Sequence, residues 1–116
     1  MNNMNTENKI GKTMISPDVL KKVAYLTTLS VQGVSRMAGK KFDFDHFLNR
    51  QEDTGARVQV RNSQVFVEIY VILMSGMNVR DISREIQSRV SRAISEMVGM
   101  DVGGVNIHIM DIDFNT

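Results

Sequence analysis

Residues 65–90, "VFVEIYVILMSGMNVRDISREIQSRV", change their hydrophobic period partway along, and that change decides the fold. Up to Leu73 the period is two: Val65, Val67, Ile69, Val71 and Leu73 share one face, while Phe66, Tyr70 and Ile72 flank Glu68 on the other. Apolar residues on both faces describe a central β-strand, in which Phe66 and Tyr70 are expected to be core. Gly76 then breaks the strand, Asn78 suits a helix cap, and Asp81 falls in a first turn, where negative charge meets the positive end of the helix. With Val79 at zero and about 100° per residue, Val79, Ile82, Ile86, Val90, Ala93, Ile94 and Met97 fall within about 120°. This stripe predicts a core-facing helix running to about Val98 and stopped by Gly99.

Working outward, "GVNIHIMDIDF" is strand-like, but its apolar positions change parity from Val105, Ile107 and Ile109 to Met110, Ile112 and Phe114. A bulge near Ile109 would produce that change. On the other side, "ARVQV" alternates Val58 and Val60 against Arg57, Gln59 and Arg61, and the short gap to Val65 predicts a hairpin. Further upstream, "SPDVLKKVAYLTTLSVQGV" carries Ser16 as N-cap, Pro17 at the first helical position, Asp18 in the first turn and Gly33 as the stop. Its expected stripe is Val19, Val23 and Leu26, with Leu20 and Ala24 beside it. "IGKTMI" reads as a short strand, and "SRMAGKKFDFDHFLNRQEDTG" as a loop with a helical turn near "DHFLNR". The polar residues 1–9 read as a disordered leader and 10–116 as a single domain. The expected class is α+β: a two-layer α/β sandwich in the order strand, helix, loop or short helix, strand, strand, helix, strand, with both long helices on one face of a mixed sheet. Strand, helix and strand over 65–112 would form a right-handed crossover if the two strands are parallel.

Composition limits the function. With 116 residues, 42% hydrophobic and 23% charged, the chain suits one soluble globular domain, and no run reaches the ~18 apolar residues of a membrane span. Neither a signal peptide nor direct membrane insertion is expected, which leaves the cytoplasm as the compartment. The absence of cysteine removes disulfides, thiolate nucleophiles and thiolate metal sites. The net charge of +1 divides into a mildly basic first half and a mildly acidic second half, far from the balance of a domain that grips phosphate backbones.

Catalytic and metal constellations are sparse. His46 and His108 are the two histidines. His108 lies in a strand among valine and isoleucine, where a surface or structural role is expected. Asp43, Asp45 and His46 form a meagre ligand set, and Asp111 with Asp113 reads as the wet face of a terminal strand. No GxGxxG, Walker or GxxG pattern occurs. The expectation is therefore no enzyme, no cofactor and no resident metal. Met74, Met77 and Met100 could line an adaptable interface or fill the core, since soft methionines serve both, and the core is the expectation. On the long helix, Glu85 with Arg89 and Arg92 with Glu96 stand at i,i+4 spacing as expected ion pairs on a solvated face. Arg80 and Arg84 lie on the opposite flank with Gln87 and Ser91, and these four are the candidate partner-binding residues.

The segments "ISPDVLKKVAYLTTLSVQGVSRM", "GARVQV", "VFVEIYVILMSGMNVRDISREIQSRVSRAISEMVGM" and "VNIHI", in that order, resemble the alkaline shock protein family, also called the envelope stress response family, of Gram-positive bacteria. The likeness runs from about Ile15 to Ile109 and is strongest at Val23-Ala24, Gly33-Val34, Met37, the "GMNV" turn, "SEMVGM" and "VNIHI". Arg80 stands where members often carry proline. The resemblance implies a non-enzymatic cytoplasmic scaffold or adaptor in cell-envelope homeostasis. Such a protein would self-associate and be held at the inner membrane face by a small integral-membrane anchor protein or an envelope or lipid-synthesis protein. Its alternatives are a regulatory module controlling a fatty-acid-synthesis enzyme and, from the strand-helix alternation, a KH-like RNA-binding module, although nucleic acid is not the expected partner.

Overall fold

The computed structural model describes residues 15–39 and 54–114. Helix α1 spans Pro17–Leu29, strand β1 Val34–Met37, β2 Ala56–Arg61, β3 Gln64–Met74, helix α2 Val79–Val98 and β4 Asp101–Asp113. Strand β3 is central, antiparallel to β1 and β2 and parallel to β4, so the sheet is mixed as expected. Its face formed by Val65, Val67, Ile69, Val71 and Leu73 is fully buried against both helices, which pack on each other and on the sheet. The two-layer α+β architecture read from the sequence is therefore the one observed. The expected strand at "IGKTMI" falls almost wholly outside the described residues, as do the leader, the helical turn near "DHFLNR" and the residues Asp43, Asp45 and His46.

One strand went unread in the sequence. Val34–Met37, expected to begin a loop, pairs with Leu73 to Val71 as β1, while β2 pairs with Ile69 to Gln64 along the same edge of β3. The two meet at Tyr70, whose N–H donates to the Gly55 carbonyl and whose own carbonyl accepts from the Ala38 N–H, each at 2.8 Å. Four residues, one of them, Ser35, the extra residue of a bulge, are too few to show a period, and tertiary pairing makes them a strand. Gly55 is required where they meet: its φ is +85°, and a Cβ there would lie 2.9 Å from the Tyr70 carbonyl oxygen.

The hairpin from β2 to β3 closes through Asn62 and Ser63, both at positive φ (51° and 65°), the geometry of a two-residue turn matched to strand twist. In β4 the register with β3 shifts between Ile109 and Asp111, so Met110 is the extra residue of a bulge where the parity change predicted one. Helix α1 departs from expectation. Its buried side chains are Leu20, Ala24 and Thr28, whereas Val19 and Leu26 are about half exposed and Val23 is half-buried. Thr28 fits the core because its hydroxyl donates to the Ala24 carbonyl at 2.7 Å, which satisfies its polarity inside the helix. Met74 and Met77, expected in the core, are exposed, while Met100 packs against it.

Candidate partner-binding surface

Helix α2 is fixed at both ends by its own sequence. The Asn78 side chain accepts from the Asp81 N–H at 3.0 Å, and Gly99 takes the left-handed conformation, with its N–H bonded to the Ser95 carbonyl. Ile82, Ile86, Val90 and Ile94 are buried, so the predicted stripe is observed along its middle, while its ends, Val79 and Met97, are exposed. Glu85 and Arg89 form the expected ion pair at 2.6 Å. The pair expected between Arg92 and Glu96 does not form among the described residues; both side chains are exposed, where water competes with the pairing.

The four candidate residues share one flank of α2 and do two different things. Gln87 reaches the sheet, its side-chain amide donating to the Val105 carbonyl of β4 at 3.0 Å. That contact places the flank beside β4. Ser91 is half-buried next to it, while Arg80 and Arg84 are exposed, and no ion pair engages either among the described residues. The flank is thus anchored at its middle and offers two free guanidinium groups toward the N-terminal end of the helix.

The sheet face away from the helices holds a second constellation. Phe66, Glu68 and Tyr70 alternate there, so Phe66 and Tyr70 are not core as expected but half-buried on the face away from the helices. The parallel register brings Tyr70 opposite His108 and Glu68 opposite Asn106. The His108 ring stacks on Tyr70 with centroids 4.5 Å apart, and its Nε2 lies 2.5 Å from Glu68 Oε1, while the Asn106 amide donates to Glu68 Oε2 at 2.7 Å. These bonds from His108 and then Asn106, reinforced by the charges of His108 and Arg57, hold the Glu68 carboxyl below its ordinary range despite some desolvation. Arg57 sits over Tyr70 and Arg61 over Phe66, at 5.2 and 4.2 Å from the ring centroids. A Cβ on Gly103 would lie 2.5 Å from the Phe66 ring, so the glycine admits that ring. His108 is the structural histidine the sequence suggested. Its partners were not legible, because they depend on the β3–β4 register.

Asp113 accepts from the Ser35 hydroxyl of β1 at 2.7 Å, a contact between distant parts of the chain, while Asp111 accepts from the neighbouring Ile112 N–H. Among the described residues no group of three or more side chains is arranged to hold a metal ion, and no helix is long and apolar enough to cross a membrane.

This is a small two-layer α+β protein. Residues 5–114 match the model of the alkaline shock protein family, described as having a cell envelope-related function, and the chain belongs to that family. It is 33% identical over 108 residues to Spy1535 of Streptococcus pyogenes, covering 92% of this chain and 83% of that protein. With YqhY of Bacillus subtilis it shares 23% identity over 109 residues, covering 92% and 81%. A solved structure of the MamM CTD superposes with a TM-score of 0.52 at 9% identity, covering 84% of this chain and 100% of that one, a likeness of fold alone.

Proposed function

We propose that the protein is a non-enzymatic scaffold or adaptor in cell-envelope homeostasis. In this reading it self-associates in the cytoplasm and is held near the inner membrane face by a small integral-membrane anchor protein or an envelope or lipid-synthesis protein. The family match over residues 5–114 carries the reading. Support for placing the contact on α2 comes from Arg80 and Arg84, two exposed cations without an ion pair among the described residues, on a flank that Gln87 fixes to the sheet. An unpaired guanidinium is available for a bidentate bond to a partner carboxylate.

The test is affinity capture from the membrane and soluble fractions of cells that make the protein, comparing wild type with Arg80→Glu/Arg84→Glu. A defined membrane partner retained by wild type and lost by the variant is the expected result. Equal retention would remove the two arginines from the interface, and capture of no envelope component by either would overturn the scaffold reading.

A further inference from the structure

The flank of α2 borders a strand edge that no described strand occupies. In β3 the Tyr70 N–H and carbonyl both face β1 and β2, so by alternation Val67, Ile69 and Val71 face β4. Their register partners Val105, Ile107 and Ile109 therefore turn their own backbone groups outward, while Gly104, Asn106 and His108 bond to β3. The Gln87 contact agrees with this, since the Val105 carbonyl it reaches is an outward one. At Ile107 and Ile109 the outward N–H and carbonyl groups have no backbone partner among the described residues.

Of the usual protections this edge has its bulges at Gly103 and Met110 but no blocking charge between them. From Val102 to Met110 the strand reads "VGGVNIHIM", with no lysine, arginine, glutamate, aspartate or proline to discourage pairing. The charges lie on the helix instead. Helix α2 runs opposite to β4, because it joins two parallel strands. Starting at the Gln87–Val105 contact, Arg84 is about 4.5 Å and Arg80 about 10.5 Å back along the helix at 1.5 Å per residue. At about 3.3 Å per strand residue those distances reach the level of residues 106–107 and 108 of β4. Two cations without an ion pair among the described residues thus stand level with backbone groups that no described residue engages.

We infer that this edge takes an extended acidic chain segment, which adds as a strand to β4 through Ile107 and Ile109 and presents two alternate carboxylates to Arg80 and Arg84. The spacing matches: side chains two residues apart on one face of a strand are about 6.7 Å apart, and Arg80 and Arg84 are about 6 Å apart along the helix. Main-chain bonds hold the segment and the arginines select its charge, as in other strand-addition sites. The inference rests on the scaffold reading in naming a chemistry for the partner, but the site is testable without it.

The probe is a synthetic nine-residue peptide of alternating valine and glutamate, added to the full chain while backbone amide exchange is followed by NMR. The Ile107 and Ile109 amides are expected to slow on binding, while those of Asn106 and His108, already bonded to β3, stay as they were. Arg80→Glu/Arg84→Glu is expected to weaken binding about tenfold or more with the fold unchanged. A peptide N-methylated along its β4-facing edge should fail to bind despite identical side chains. Binding without slowed exchange at Ile107 and Ile109, or equal binding of a valine–lysine peptide, would overturn the assignment. So would slowing of those amides with protein concentration alone, which would make a second copy the occupant. Peptide binding with no envelope component captured from cells by either protein would uphold the site and count against the scaffold reading. An arginine-dependent cellular partner without protection at Ile107 and Ile109 would do the reverse.

Discussion

At Glu68 a single carboxylate in an otherwise apolar strand is explained by register: β4 supplies His108 to one oxygen and Asn106 to the other. Because the fold holds this carboxyl below its ordinary range, its contribution to stability is present above that range and disappears as pH falls through the lowered value. Glu68→Gln should therefore destabilise the protein by up to about 1 kcal/mol at pH 7, a modest figure because the pair is partly exposed to water. In urea unfolding the gap to wild type should narrow between pH 7 and a pH below the ordinary carboxylate range. A gap of equal size at both pH values would mean that the charge of Glu68 contributes nothing. The sequence showed the anomaly at Glu68 but not its resolution, since a lone acid within a strand acquires meaning only from the neighbouring strand.

At the level of elements, α2 was legible and the orientation of α1 was not. Helix α2 has four buried isoleucine and valine residues at strict helical spacing, between an asparagine cap and a glycine stop, and every local signal agrees. In α1 the count of aliphatic residues favours Val19, Val23 and Leu26, but the buried row is Leu20, Ala24 and Thr28. A threonine whose hydroxyl bonds back into the helix and an alanine small enough for close packing fill the place that larger side chains suggested for the next stripe. Leu20→Ala should accordingly cost about 2–5 kcal/mol, whereas Leu26→Ala should stay within about 0.5 kcal/mol of wild type, as read by thermal or denaturant unfolding. The reverse order would return Val19 and Leu26 to the core.

For the whole molecule, the sequence supplied the layers and the mixed sheet, because the chain order and the two periodicities restrict the topology strongly. It did not supply the composite edge made of β1 and β2, nor the free flank beside β4, because both arise from pairings between distant residues. Ala38 and Gly55 meet at Tyr70, so the two ends of the interval between them stand at one level of the sheet. The parallel pairing of β3 with β4 has a kinetic consequence. Its partners, from Gln64 with Asp101 to Met74 with Asp113, lie roughly 40 residues apart in sequence, whereas the β2–β3 hairpin closes over two residues. The hairpin and helices can therefore form early, with β4, like β1 across a similar separation, docking as a late step.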